Sequence, residues 1–263
     1  MKSPATSNFY CPSKDKEINQ GIYALLCVSP LVKLSVIIPT YNEEKGIEET
    51  LKSISSQTLP RSDYEIIVVD GGSTDRTVEI ASKYADLIVQ QKSRGVGGAR
   101  NDGVAVARGR IVIHTDADVI VRSDWLKQIL SHFSSDIVAV CGPDEPLESD
   151  AKYRILYSLI NLISLFAYKI GIVWTRGTNT AVLKDVFLKV GGYTDYPLCD
   201  DGELGLRLKK IGKVIYSPKI GVKMSARRFK KYGILRVVKE WIRGDLMIFM
   251  GKRTVGKYHK ESY

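Results

Sequence analysis

The sequence predicts an α/β fold: a mostly parallel, doubly wound, Rossmann-like sheet flanked by helices. Two observations predict it. Short β-branched apolar runs alternate with helical patterns from Lys33 to Cys141, the signature of repeated strand–crossover–strand units. Loops rich in Gly and Asp follow several of those runs on the same side, where an open α/β sheet binds ligands beyond the carboxyl ends of its strands. A chain of 263 residues is long enough for one large domain with a sizeable core. No repeat, low-complexity segment or separating linker divides it.

Residues 1–32 are read as an extension outside the main fold. The first stretch is polar and mixed in charge, and the apolar piece 22–32 is too short to span a bilayer and is broken by Pro30. Asp15, Glu17 and the lack of a small-residue cleavage site weigh against a signal peptide. The main domain is expected over 33–232. Residues 34–38 read as a buried strand stopped by Pro39, followed by a loop and a helix over 44–57. The alternation continues with strand 65–69, loop 70–75 and a helix through 84. Strand 87–90, a Gly-rich loop 94–98 and a helix to 107 follow, then strand 111–114, helix 124–133 and strand 137–141. After that the alternation breaks. The apolar stretch 155–174 has transmembrane length but contains Asn161 and Lys169, so it reads either as a core helix pair or as a helix lying in a membrane interface. A strand over 177–183, a short helix over 184–190 ended by Gly191-Gly192, and a helix over 201–211 ended by Gly212 complete the domain. Residues 233–263 are expected to add an amphipathic helix and a basic tail. Ile234, Val237, Val238, Trp241, Ile242, Leu246 and Phe249 form its apolar stripe, and Arg236, Lys239, Arg243 and Asp245 its opposite face.

The formal charge is +10, gathered late in the chain, which suits phosphorylated substrates, anionic lipid or nucleic acid. Aromatic platforms among the charges are sparse, so nucleic acid is not expected as a partner. Four cysteines without C-x-x-C spacing or a nearby His point to neither zinc nor a disulfide framework, and to a reducing, cytoplasmic setting.

Asp116 and Asp118 end strand 111–114 with their carboxylates one residue apart. Strand alternation would point both the same way, and paired hard oxygen ligands suit Mg²⁺ or Mn²⁺. The plainer alternative is that Asp116 caps the next turn and Asp118 is solvated. Asp70 closes strand 65–69 before two glycines, where it either meets a ribose or base or merely organises a turn. Arg94 and Arg100 flank a Gly-rich segment that lacks the dinucleotide fingerprint spacing, leaving phosphate or sugar contacts or solvated arginines. Asp200, Asp201 and Glu203 open a helix, which carboxylates favour electrostatically; one of them could also act as a general base. The cluster 225–231 with Arg227 and Arg228 is either a solvated face or a phosphate clamp.

Taken together, S-V-I-I-P-T-Y-N-E at 35–43, V-V-D-G-G-S-T-D at 68–75, G-A-R-N-D-G at 98–103, T-D-A-D at 115–118, G-T-N-T-A-V-L from 177, F-L-K-V-G-G-Y through 193 and D-D-G-E-L-G-L-R-L at 200–208 resemble the inverting family-two nucleotide-sugar glycosyltransferases of the GT-A fold. The resemblance implies that Pro39, Tyr41 and Glu43 line the nucleotide pocket and that Asp70 contacts the base. It further implies that Asp116 lies by the ribose and diphosphate, that Asp118 ligates Mn²⁺ or Mg²⁺, and that Asp201 serves as base towards hydroxyl acceptors. Arg100 belongs with the donor site. Where many members have Glu-Asp this chain has Asp200-Asp201, and the Q-x-x-R-W of processive enzymes is absent. Arg227 and Arg228 would stand in for that element as diphosphate or lipid-phosphate contacts. The expected partners are a nucleoside-diphosphate sugar, a polyprenyl-phosphate or lipid-linked acceptor and a membrane surface, with the protein peripheral on its cytoplasmic face. A nucleotidyltransferase would instead need a Gly-rich basic signature after the first strand, where Pro39-Thr40-Tyr41-Asn42-Glu43 stands. A non-catalytic nucleotide- or lipid-binding module of the same fold is the remaining alternative.

Overall fold

The computed structural model describes residues 32–134 and 136–254. The extension expected over 1–32 lies outside the described residues but for Val32, as does the end of the basic tail from 255 onward. From Val32 on, the described residues form one compact unit.

In chain order the elements are β1 (Leu34–Thr40), α1 (Ile47–Ser55), β2 (Tyr64–Asp70), α2 (Thr77–Ala81), β3 (Leu87–Gln90), α3 (Gly95–Val106), β4 (Ile111–His114), β5 (Val119–Ile120) and α4 (Trp125–His132). They continue with β6 (Ile137–Cys141), β7 (Asp144–Pro146), α5 (Ala151–Lys169), β8 (Thr180–Leu183), α6 (Lys184–Lys189), α7 (Asp200–Lys209), β9 (Lys213–Tyr216), β10 (Val222–Met224), α8 (Arg227–Tyr232) and α9 (Ile234–Phe249). A seven-stranded sheet runs β3-β2-β1-β4-β8-β6-β9, and a small sheet runs β5-β10-β7. In the large sheet β8 alone is antiparallel to its neighbours β4 and β6. The fold is therefore mixed α/β with a mostly parallel sheet.

β1 and β2 are apolar runs buried on both faces, as central parallel strands require. Alternate side chains serve opposite layers. Val36 and Ile38 join α1 and α4 in one core, while Ile37 joins α3, Phe187 and Leu204 in the other. Register places Thr40 opposite Asp70 and Asp70 opposite Gln90, with Ile37 opposite His114. The loops after β1, β2 and β4 thus leave the sheet at one edge.

Several features depart from the sequence reading. The Gly-rich stretch 94–98 is not a loop, because α3 begins at Gly95. Its start is held by Asp102, whose carboxylate accepts the backbone N–H groups of Lys92 and Ser93 at 2.6 and 2.9 Å. The apolar stretch 155–174 is not a helix pair. One helix, α5, covers 151–169, and the chain then runs without regular structure to β8. In α9 the expected apolar stripe divides: Val237 is buried, but Ile242, Leu246 and Phe249 are exposed. Asp245 does not face solvent as expected; it turns towards Cys199 and Asp201, because α9 packs through Gly244, beside Cys199. The strands β5, β7, β9 and β10 had no sequence expectation. Most are too short to show a period. Among the described residues no helix is long and apolar enough to cross a membrane.

Candidate active site

Two loops form the floor at the sheet edge, zipped together by side chain to backbone bonds. Asn42 adopts a left-handed φ of 53°. Its N–H donates to Ser73 Oγ at 2.9 Å and its side-chain oxygen accepts from Thr74 N at 2.8 Å. Glu43 N donates to Thr77 Oγ1 at 2.7 Å, and Glu44 N to Asp75 at 3.1 Å. Asp70 is buried, and its carboxylate accepts from the backbone of Gly72 and Ser73 at 2.9 and 3.0 Å and from the Ser73 hydroxyl. It therefore shapes the loop that any base or ribose would meet. Pro39 and Tyr41 are half-buried beside it at the end of β1.

Asp116 and Asp118 lie in the turn after β4 rather than within the strand, and each faces a different cation. Asp116 pairs with Arg100 at 2.6 Å. Asp118 is buried, not solvated, and pairs with Arg227 Nε at 3.1 Å. The same guanidinium grips Glu43 through both terminal nitrogens at 2.6 and 2.7 Å. Burial pushes the Asp118 carboxyl up to about 7; Asp116 and Glu43 add to the push and Arg227 opposes it. Arg228 goes elsewhere, lying 5.9 Å over the Trp241 ring and 4.0 Å from Glu240.

Arg100 is buried, and Gly177 lies against its guanidinium so closely that a Cβ at 177 would collide with it. The Gly177 N–H donates to Asp201 Oδ2 at 3.0 Å, and Gly202 N donates to Asp201 Oδ1 at 2.9 Å. Thr175 Oγ1 donates to the Asp201 carbonyl. Asp116, Arg100, Gly177 and Asp201 thus form one connected line. Beside it, Asp200 is buried under Gly97, and burial followed by the Asp201 charge pushes its carboxyl up to about 7. Asp245 is raised to about 6 for the same two reasons.

The donor set tests whether a divalent cation fits. Asp116 and Asp118 offer hard oxygens, and Asp118, raised by burial and by its anionic neighbours, is a carboxylate that a second positive charge would stabilise. Among the described residues no three carboxylates, histidines or cysteines cluster as a self-sufficient metal site. The two aspartates fit an ion that takes its other ligands from a substrate's phosphates and water, the usual habit of Mg²⁺. Two residues escaped sequence reasoning. Thr175 and Gly177 hold Asp201 from more than twenty positions away in the chain, and the only signal was Gly177 opening the G-T-N-T-A-V-L motif.

Residues 35–191 match the family described as Glycosyl transferase family 2. Glycosyltransferase AglE of Haloferax volcanii is 37% identical over 120 residues, which is 43% of this chain and 40% of that protein. The poly(ribitol-phosphate) beta-N-acetylglucosaminyltransferase TarS of Staphylococcus aureus is 34% identical over 119 residues, 42% of this chain and 21% of that protein. The chain therefore spans less than half the length of these curated relatives. The mannosyltransferase PcManGT from Pyrobaculum calidifontis, solved in complex with GDP-Man and Mn²⁺, superposes with a TM-score of 0.68 at 24% identity, covering 87% of this chain and 66% of that one. Likeness at that identity speaks for the fold.

Proposed function

The chain belongs to glycosyl transferase family 2 and has the GT-A fold, and we propose that it transfers a sugar from a nucleoside-diphosphate sugar to an acceptor with inversion at the anomeric carbon, using Mn²⁺ or Mg²⁺. Membership of the family displaces the nucleotidyltransferase reading. The observation that carries the proposal is the line from Asp116 through Arg100 and Gly177 to Asp201, which sets the arginine-paired carboxylate of the T-D-A-D motif in one connected structure with a held carboxylate.

In this reading Pro39, Tyr41, Glu43 and Asp70 bound the nucleotide, and Arg100 holds Asp116 towards the ribose and diphosphate. A divalent ion on Asp118 would supply neutralisation of the charge that builds on the leaving diphosphate. Arg227, now on Asp118 and Glu43, is within reach to share that task. Asp201 takes the proton of a hydroxyl acceptor; towards a phosphate acceptor, already ionised at neutral pH, it orients instead. We favour a lipid-phosphate or lipid-linked acceptor at the cytoplasmic face of a membrane, supported by the basic segment 227–231 next to exposed apolar helix faces. A polymer hydroxyl is the second reading, favoured by the two hydrogen bonds that hold Asp201 as a base would be held.

The test is a screen of nucleotide-sugars with Mn²⁺ or Mg²⁺, scoring nucleoside diphosphate release with and without a polyprenyl phosphate or a poly(ribitol phosphate). Asp118→Ala is expected to lower release at least about 100-fold with an unchanged circular dichroism spectrum. Undiminished release in that variant overturns the metal assignment.

A further inference from the structure

Helix α5 is apolar on two sides. Towards the protein it buries Tyr153, Tyr157 and Ala167 and makes two polar contacts: the Asn161 amide donates to the Asp144 carbonyl at 2.8 Å, and Ser164 Oγ accepts from Arg176 at 2.8 Å. Its outer side presents Ile155, Leu159, Leu162, Ile163, Phe166 and the following Ile170, each 53–63% exposed. A solvated helix keeps that outer side polar. Helix α9 repeats the pattern in part: Leu235 is 87% exposed, and Ile242, Leu246, Phe249 and Met250 are 49–60% exposed. The two helices share one small core through α8, where the Phe229 ring lies 5.8 Å from Tyr157 of α5 and 5.4 Å from Trp241 of α9.

The charge on these faces is predominantly positive. Residues 151–170 contain no Asp or Glu, and Lys152, Arg154 and Lys169 stand exposed at the two ends of α5. On α9, Arg236, Lys239 and Arg243 are exposed. Of the acids of α9, Glu240 pairs with Arg228 and with Arg236 on this face, and Asp245 turns inward beside Cys199. Where α5 meets the α8–α9 junction, a hollow of about 530 Å³ has Tyr153, Tyr232 and Leu235 along it and Lys152, Lys230 and Arg236 around it.

We propose that the outer faces of α5 and α9 form a docking surface for an anionic lipid bilayer, with the apolar side chains entering the acyl boundary and the cations, including those of the hollow, meeting headgroup phosphates. An interfacial helix combines an apolar face with flanking Lys and Arg in this way, and each cation near an anionic leaflet adds to binding. A second copy of the chain is a poorer occupant, since it would bring the same positive charge against itself. The proposal deepens, and for its purpose rests on, the membrane-acceptor reading above. It also gives α5 a link to the site. The Arg176 that Ser164 holds also pairs with Asp144 at 2.8 Å, and Arg176 stands between Thr175 and Gly177, both of which hydrogen-bond Asp201.

The experiment is co-sedimentation of the full chain with phosphatidylcholine vesicles, with and without phosphatidylglycerol, at low and high salt. The protein is expected to sediment with the anionic vesicles and to be partly released by salt. Leu162→Glu with Phe166→Glu, and separately Lys152→Glu with Arg236→Glu, are expected to cut the bound fraction at least about tenfold. Thermal unfolding and diphosphate release without vesicles should be unchanged, since these side chains lie outside the cleft. Diphosphate release is scored apart from vesicle binding, so failure of the transferase reading and failure of the docking surface are distinguishable. Absence of binding to anionic vesicles, or a concentration-dependent dimer that the Leu162→Glu, Phe166→Glu variant abolishes, overturns the proposal.

Discussion

Asp200 and Asp201 are neighbours in the chain with opposite situations. Asp201 is partly open to the cleft and held by two backbone N–H groups, whereas Asp200 is buried and resists ionisation up to about 7. Asp201→Asn is therefore expected to lower transfer to a hydroxyl acceptor by about 10²–10⁴-fold and to leave transfer to a phosphate acceptor within about tenfold, measured as product formed on each. For Asp200 the prediction concerns stability. A carboxyl raised from 3.8 to about 7 keeps, in the folded state, a proton that the unfolded chain has lost. The folded state then binds more protons between about pH 4 and 7, so stability falls as pH rises through that window. Asp200→Asn should make the fall in melting temperature between pH 5 and pH 8 shallower, at roughly 2–4 °C for each kcal/mol recovered. An unchanged slope would place the titration elsewhere.

At the scale of elements, the decisive piece is the irregular segment between α5 and β8. It carries Thr175 and Gly177 to Asp201 and presses Gly177 against Arg100. Gly177→Ala is expected to push the Arg100 guanidinium off Asp116, weakening donor affinity and lowering turnover at least about tenfold, because small misplacements of positioning groups are costly. Donor titration and steady-state kinetics read this directly. Intact donor affinity in that variant would remove Arg100 from the donor site. The apolar runs, turn residues and motif loops around this segment were legible in the chain, since strand and helix periods are local properties. The outward aspect of α5 was not: its apolar residues recur on every side, and periodicity cannot then say which side is buried.

Across the whole molecule, Arg227 joins the two sheets. It follows β10 of the small sheet and reaches Glu43, beyond β1 of the large one, 184 positions away in the chain. Arg227→Ala takes their shared cation from two buried carboxylates and is expected to destabilise by about 3–5 kcal/mol in urea unfolding. If Asp118 is the metal ligand, added Mn²⁺ should recover part of that loss in the variant, by linkage to the folded state. No recovery at millimolar Mn²⁺ would speak against a cation on Asp118.

The sequence by itself determined the α/β class and the edge of the sheet at which the loops gather, because these depend on side-chain period and on motifs within a few residues. Tertiary structure alone decided which cation meets which carboxylate. Asp116 and Asp118, two positions apart, are partnered by Arg100 from α3 and Arg227 from α8. It also decided that Asp200 is buried while Asp201 is open, and that α5 shows its apolar side outward. Such pairings arise when distant segments pack, and burial then fixes their electrostatics, which no local pattern encodes.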